Sequence, residues 1–256
     1  MKHQILISVV LWVALPATAQ WLNYPTPGIP RTKDGKANLS APAPKAADGK
    51  PDLSGIWLVD DRKYFFDLGA DLKDRVPVQP WAKARVQQNI DNLHKDDPLA
   101  LCMPPGVPRI NMNQLFPFKI VQTPRLVIML HETSTNSAFR QIFLDGRPLP
   151  KDPQPTWLGY SVGSWQGDTL KVDTIGFNDR NWIDTDKGHP QTDALHVIER
   201  FHRIDFGHLQ IEVTIDDPKA YTKPWTANVA LHLLPDTEIL ETVCENAKDA
   251  GHMVGK

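Results

Sequence analysis

A carboxylate that could do chemistry lies in the hairpin formed by residues 195–215. A three-residue turn at 205–207 places Glu199 and Arg203 on the same strand face as the four aliphatic residues between 209 and 215, because successive side chains of a strand alternate. A two-residue turn would instead mix those aliphatic residues with charged ones. A carboxylate on an apolar face must be paired, neutralised or put to use. Glu199 is therefore predicted to form a structural ion pair, with Arg203 as its partner, or to act as a general acid or base.

The connection at residues 176–194 supplies the second group of polar candidates. It is long for a hairpin connection, and long loops in compact domains are often functional. It contains His189, which could transfer a second proton beside Glu199, while Arg203 would hold an anionic group of the substrate. This hypothesis describes a cofactor-free lyase, hydratase, isomerase or hydrolase in which a raised carboxyl pKa allows proton transfer near neutral pH.

Several other kinds of chemistry are not predicted. His189, Asp193 and His196 are close in sequence, but no His-x-x-x-His or Glu-x-x-His pair on a helix supports a metal site. The serines of the segment 161–164 fall in a predicted strand and not at a strand-to-helix turn, so no nucleophile elbow is expected. The absence of Gly-x-Gly-x-x-Gly and phosphate-loop motifs excludes the usual nucleotide sites, and no cofactor is predicted. A formal net charge of −2 gives no reason to expect nucleic-acid binding.

Aromatic residues in and beside the loops favour a different hypothesis, a binding protein for a small amphipathic or aromatic molecule. Aromatic walls with a few polar groups are typical of small-molecule sites. The candidate ligand-binding residues are Trp157, Trp165, Trp182, Phe201, Trp225, Asn178 and Asp179. Because no catalytic motif is stronger than this pattern, binding is the preferred prediction. A purely structural role in the cell envelope, with no pocket, is a third possibility.

The elements that would position these residues are mostly strands. The predicted strands cover residues 54–59, 118–122, 125–132, 139–144, 159–165, 169–175, 195–204, 209–215, 226–233 and 238–244. Short turn signals between many of them, such as Gly167-Asp168, indicate successive hairpins. We therefore predict a mainly β fold, an antiparallel meander of about ten strands closed as a lipocalin-like barrel with one or two short helices. A β-sandwich is the alternative.

One helix is predicted with some detail, over residues 79–94. Prolines lie at its start, where they are tolerated. Its apolar residues Trp81, Ala84, Ile90 and Leu93 can share a face.

The N-terminal region is predicted to be a signal peptide followed by a leader. Lys2, the apolar run 5–15 and the small residues of 17–19 form the three parts of a cleavable signal, so we expect cleavage after residue 19 and export to the periplasm or the extracellular space. No later stretch is long and apolar enough to span a membrane. Residues 20–51 are predicted to be an extended or disordered Pro-rich leader, and residues 52–256 to form one barrel domain.

Two further observations concern this organisation. The leader contains two similar segments, Asp-Gly-Lys-Ala-Asn-Leu-Ser at 34–40 and Asp-Gly-Lys-Pro-Asp-Leu-Ser at 48–54. Their similarity suggests two similar turns on the barrel surface.

The chain also has two cysteines, Cys102 and Cys244. An even number of cysteines in an exported chain favours a disulfide over two buried thiols.

Two resemblances bear on these predictions. The run 48–57 after a signal peptide, with Gly-Asp-Thr-Leu at 167–170, Gly-Phe-Asn-Asp at 176–179, Glu-Arg-Phe at 199–201 and Asp-Asp-Pro at 216–218, resembles a family of exported bacterial proteins from residue 48 to the C-terminus. That resemblance implies no particular activity. Gly-Ile-Trp at 55–57 also resembles the Gly-x-Trp of lipocalin-like barrels, which implies a barrel that binds small apolar or amphipathic ligands.

Overall fold

The computed structural model describes residues 25–133, 139–242 and 244, and the predicted signal peptide at 1–19 lies outside these residues. The described chain forms a closed barrel, as the sequence predicts, and the β-sandwich alternative is not formed. Nine strands follow one another around it: β1 (Gly55–Val59), β2 (Phe118–Gln122), β3 (Leu126–His131), β4 (Phe139–Phe143), β5 (Tyr160–Gln166), β6 (Thr169–Ile175), β7 (His196–Arg203), β8 (His208–Asp216) and β9 (Trp225–Leu233).

The barrel departs from a simple antiparallel meander at one place. Strand β4 pairs with β5 in parallel, and only Ile142 with Ser161 and Phe143 with Val162 are paired there. The long connection 144–159 allows the chain to return to the end at which β4 began, so β5 runs in the same direction. Every other pair of neighbouring strands is antiparallel, including the pair of β1 with β9 that closes the barrel.

The predicted tenth strand is not formed in the described residues 238–242. The reason is the closure itself. Strand β9 uses its second edge to pair with β1, through Trp57 with Leu233 and Val59 with Leu231, so it has no free edge to offer another strand.

The hairpin of β7 and β8 has the predicted three-residue turn. Its register pairs Glu199 with Val213 and Arg203 with Leu209. The carboxylate of Asp205 stabilises the turn by accepting hydrogen bonds from the backbone N–H groups of Gly207 at 3.0 Å and His208 at 2.9 Å. Glu199 therefore points into the barrel, as the alternation of the sequence predicts.

The barrel interior is filled by side chains. Strand alternation directs aliphatic and aromatic residues inward, and the largest of the fully buried apolar side chains are Trp57, Tyr221, Phe118, Phe177, Phe201, Leu53, Leu68, Met112, Ile120, Met129 and Ile142. Burying a side chain of this size contributes about 1.5–3 kcal/mol. Chain just before β2 covers one barrel end, where the short 3-10 helix Arg109–Met112 is buried along its whole length.

The remaining helices all belong to the connection between β1 and β2. Helix α1 covers Lys63–Phe66, α2 covers Pro80–Asp91, and a second 3-10 helix covers Pro98–Leu101. The predicted apolar face of α2 is wrong: Trp81 and Ile90 are exposed, whereas Ala82 and Asn89 are buried. The Asn89 amide donates to the carbonyl of Gly188 at 2.8 Å, so a polar contact sets the orientation of this helix. Among the described residues, no helix has the length and hydropathy needed to cross a membrane.

The described part of the leader is ordered on the barrel. Its two echoing segments form equivalent turns, in which the N–H of Gly35 donates to Thr32 and that of Gly49 donates to Ala46, both at 2.9 Å. Both glycines have φ of +79°, a conformation that glycine adopts without cost. Residues 25–51 of the predicted leader therefore form defined turns and isolated bridges.

Backbone hydrogen bonds from the β7–β8 turn hold the leader in place. The N–H of Phe206 donates to the carbonyl of Ala41 at 2.8 Å, and that of Gly207 donates to Leu39 at 2.7 Å. The ion pair of Arg31 with Asp236 adds a contact beyond β9. A disulfide between Cys102 and Cys244 confirms the predicted pairing and links the chain before β2 to the chain after β9.

We expect Gly207→Ala to release the leader, because an added Cβ would meet the Cα and carbonyl oxygen of Leu39 at 3.0 Å. Overpacking of this kind costs about 1–3 kcal/mol. Limited proteolysis should cut residues 25–51 faster in this variant. Gly167→Ala is the control, since no heavy atom lies within 4 Å of its added Cβ although its φ is +63°. Equal cleavage rates in the two variants would contradict the docking.

Candidate functional site

Glu199 is completely buried inside the barrel and pairs with Arg140. One Glu199 carboxylate oxygen accepts a hydrogen bond from Nη2 of Arg140 at 2.5 Å, and the other accepts one from the amide of Asn111 at 2.9 Å. The Oδ1 atom of Asn111 lies 2.9 Å from Nε2 of His131. The predicted partner was Arg203, so this prediction is wrong. Arg140 was not predicted as a site residue.

Arg140 connects four neighbouring strands. From β4, its Nε donates to the hydroxyl of Ser161 on β5 at 3.1 Å, and its Nη2 donates to the hydroxyl of Thr174 on β6 at 2.8 Å as well as to Glu199 on β7. The two hydroxyls are 3.0 Å apart. Its Nη1 contacts the Met129 sulfur at 4.0 Å, a weak acceptor. The guanidinium is therefore held from three sides by interior side chains.

Glu199 was predicted to be either a structural ion pair or a general acid or base, and no nucleophilic serine was predicted. Both Glu199 oxygens are occupied and neither reaches solvent, so the carboxylate is arranged as a structural ion pair. Gly159-Tyr160-Ser161-Val162-Gly163 has the letters of a nucleophile elbow, but Ser161 lies in β5 with its hydroxyl against Arg140. A serine in that position lacks the exposed strand-to-helix turn that such a nucleophile needs.

Arg203 lies at the C-terminal end of β7, away from the connection 176–194 that precedes this strand, and it caps the barrel there. Its guanidinium donates to the backbone carbonyls of Asp52, Ser54, Asp205 and Phe206. It also lies 4.9 Å from the ring of Trp57, a cation–π contact. Burial lowers the pKa of Arg203 to about 10, so it stays charged at neutral pH.

An outer pocket of about 350 Å³ lies at the seam between β4 and β5. We call it the seam pocket. Ten residues line it, four of them aromatic: Phe139, Arg140, Gln141, Phe143, Thr156, Trp157, Leu158, Gly159, Tyr160 and Ser161. It forms because the two strands share only two residue pairs, so β4 and the chain before β5 are not joined beyond them. The volume is in the range of small-molecule sites.

Three of the four aromatic residues that line the seam pocket, Phe143, Tyr160 and Trp157, contact arginine side chains. Phe143 and Tyr160 stack with their centroids 5.3 Å apart, and the Arg147 guanidinium lies 3.9 Å from the Phe143 centroid. Arg147 also donates to the Tyr160 hydroxyl at 3.0 Å. The Arg180 guanidinium lies 4.8 Å from the Trp157 ring. These contacts hold the rings in place without a ligand.

His189 belongs to a separate cluster outside the barrel interior. Its Nδ1 lies 2.6 Å from Oδ2 of Asp184, and Asp184 also accepts hydrogen bonds from the backbone N–H groups of Leu68 at 3.1 Å and His189 at 3.2 Å. Asp67 completes the cluster, in which one potential ligand atom from each of the three residues lies within 4.8 Å of the others. Such a set could hold a divalent ion or transfer protons.

The cluster has perturbed pKa values. Burial lowers the pKa of His189, but the charge and the hydrogen bond of Asp184 outweigh it, so the pKa is raised overall. Burial, together with the negative charge of Asp184, raises the pKa of the Asp67 carboxyl. Perturbed groups that share a groove are typical of functional sites.

The other predicted ligand-binding residues do not converge on one pocket. Phe201 packs in the barrel core, Trp165 is partly buried and packs against that core, and Trp225 is buried with its ring 6.3 Å from that of His189. Trp182 and Asp179 line a polar pocket of about 590 Å³ beside α2. The remaining residue, Asn178, is buried, and its carbonyl accepts a hydrogen bond from the Gln191 amide at 2.8 Å. Only Trp157 of the predicted set lines the seam pocket.

Comparisons with known proteins add little to this description. No protein-family model and no curated protein matches the sequence. Among solved structures, the chain is similar to the crystal structure of a point mutant of the fluorescent protein UnaG, with 11% sequence identity and a TM-score of 0.31. The similarity covers 71% of this chain and 96% of that chain. At this score the similarity carries no argument about ligand or activity.

We expect Glu199→Gln to destabilise the protein by about 3–5 kcal/mol, because it leaves the Arg140 charge buried without its counter-ion. The measurement is the free energy of unfolding in urea. Replacing both residues by methionine should recover much of the loss, since an apolar pair needs no compensation. Glu212→Gln, which removes an exposed pair with Arg200 at 3.5 Å, is the control and should cost about 0–1 kcal/mol. A small loss for Glu199→Gln would contradict the structural role.

The raised pKa of His189 predicts a pH-dependent contribution to stability. A group whose pKa is higher in the folded than in the unfolded state binds protons on folding, so its contribution is full below about pH 6.5 and is lost as the pH rises through the folded-state pKa. The stability difference between the native protein and His189→Asn should therefore shrink as the pH rises above about 6.5. Asp184→Asn, which removes the charge and keeps the shape, should lose the same pH dependence. If both variants kept the same pH dependence of stability, that dependence could not come from the raised pKa of His189 beside Asp184.

Proposed function

We propose that this protein is an exported barrel protein that binds a small amphipathic or aromatic molecule in the seam pocket. The observation that carries the proposal is that four aromatic residues, together with Arg140, line an outer pocket of about 350 Å³. Export is proposed from the predicted signal peptide, and the Cys102–Cys244 disulfide is compatible with it because disulfides persist in oxidising compartments.

The aromatic rings would provide the apolar contacts. Phe139 is about half exposed at 53%, and a ligand in the pocket would cover part of it. Aromatic pairs in offset or edge geometry contribute about 0.5–1.5 kcal/mol beyond the apolar area they bury. The stacked pair of Phe143 and Tyr160 and the ring of Trp157 are already oriented, so ligand binding would not have to order them.

Arg140 would provide the polar anchor. Its Nε and Nη2 groups are used by Ser161, Thr174 and Glu199, whereas Nη1 contacts only the Met129 sulfur among the described residues. Because the Arg140 side chain is 2% exposed, a carbonyl, carboxylate or sulfonate oxygen of the ligand would have to displace the Met129 sulfur to accept from the two N–H groups of Nη1. Glu199 is a positioning residue in this scheme, because it fixes the guanidinium and balances its charge.

The outer location favours this pocket over the barrel interior. The interior is occupied by buried side chains, so a ligand there would have to displace them. At the seam, a ligand would fill space that the two-pair contact of β4 and β5 leaves open.

We expect the aromatic anion anilinonaphthalenesulfonate to bind the native protein, and Trp157→Ala to weaken binding at least about tenfold, equivalent to about 1.4 kcal/mol of lost ring contact. Fluorescence titration measures the affinity, and near-ultraviolet circular dichroism checks that each variant is folded. Trp81→Ala is the matched control, because Trp81 is exposed and does not line the seam pocket. Equal affinity in the two folded variants, or no binding by the native protein, would refute the proposal. Native mass spectrometry of protein from its host would identify the natural ligand.

A further inference from the structure

A groove of about 790 Å³ lies between residues 67–78, helix α2 and the turn at 187–189. Asp67 and His189 form part of its wall. It shares no lining residue with the seam pocket, so the inference drawn from it goes beyond the proposed function.

The groove is lined by an excess of positive charge. Four cationic side chains face it, namely Lys73, Arg75, Lys83 and Lys187, against the single carboxylate of Asp67. None of these four forms an ion pair within 4.0 Å among the residues that the structure describes, although many exposed lysines and arginines elsewhere do. Unpaired cations around a concave surface attract anions and raise their local concentration.

His189 can present a hydrogen-bond donor at the wall of this groove. Its Nδ1 is held by Asp184 at 2.6 Å, so Nε2 is the ring nitrogen left for a bound molecule. Asp184 is itself fixed by two backbone N–H groups and is completely buried. A carboxylate behind an imidazole sets the tautomer and stabilises the protonated ring.

We propose that the groove binds a small molecule carrying phosphate or carboxylate groups, and that His189 in its protonated form donates a hydrogen bond to one of these oxyanions. The lysines and Arg75 supply long-range attraction and flexible contacts, whereas His189 supplies the one donor with a fixed direction. The charged and titratable groups that face His189 are Asp184, Asp67 and Lys187.

Replacing Asp67 distinguishes an oxyanion site from a metal site. Its carboxylate opposes an oxyanion beside His189, so Asp67→Asn is expected to tighten binding severalfold. If the three residues instead formed a metal site, the same change would remove a ligand and weaken binding of a divalent ion.

Isothermal titration calorimetry of the mature protein with inorganic pyrophosphate and, separately, with citrate tests the proposal and shows whether phosphate or carboxylate is preferred. Binding of at least one probe is expected, weaker at about 150 mM than at about 20 mM salt because the exposed cations are screened. Lys73→Ala with Lys83→Ala should weaken it at least about tenfold. Lys33→Ala with Lys45→Ala, which removes two exposed lysines of the leader, should leave it unchanged.

The pH dependence distinguishes a role for His189 from general attraction. Affinity should fall as the pH rises from about 6 to about 9 in the native protein, and His189→Asn should bind weakly with little dependence over that range. Binding lost equally in the leader control, or unchanged in His189→Asn, would overturn the proposal. Titration with Zn²⁺ alone is expected to show no site that depends on Asp67, and a site that does would also overturn it. The Trp157→Ala variant should bind these probes normally, so failure of the seam-pocket proposal remains distinguishable.

Discussion

The buried ion pair of Arg140 and Glu199 compensates for the weakest part of the barrel. Backbone pairing between β4 and β5 is limited to two residue pairs, whereas the other neighbours share longer ladders. The Arg140 side chain crosses this seam and reaches β5, β6 and β7 through side-chain hydrogen bonds. A charged group buried at this depth is stable only because it has a counter-ion, Glu199, and further acceptors in the hydroxyls of Ser161 and Thr174. The closure of the barrel and the shape of its outer pocket both depend on this network.

A filled interior determines where binding can occur. In a barrel with an open lumen, inward-facing residues form the site and loops control access to it. Here the inward-facing residues are committed to packing and to one polar network, so the open surfaces lie on the outside, at the seam and between the loops. The same division explains why the candidate residues of the sequence fall into separate places. Trp165 and Phe201 alternate with polar residues because they face the core, whereas Trp157 precedes a strand and lies beside the seam.

Much of the fold could be predicted because turn length fixes strand register. The three-residue turn at 205–207 required Glu199 to face inward, and the structure has that register. The partner of Glu199 could not be found in the same way, because the parallel pairing of β4 with β5 depends on how the connection 144–159 returns, and that connection contains no periodic element. The sequence does indicate that Arg140 points inward, because Arg140 alternates with Ile142 along β4. The pairing of β4 with β5 could not be predicted, because no turn of known length joins these two strands. His189 and Asp184 are five residues apart in a loop, a spacing that neither helix nor strand geometry singles out.

The docking of the leader has a consequence for the order of assembly. The groups that hold it, the backbone of Phe206 and Gly207 and the side chain of Asp236, lie far along the chain from their partners, and Arg31 is separated from Asp236 by 205 residues. Contacts this distant in sequence form only after the intervening chain has been brought together. During synthesis the leader therefore leaves the ribosome long before its binding surface exists. It is the first part of the described chain to be made and among the last to reach its place.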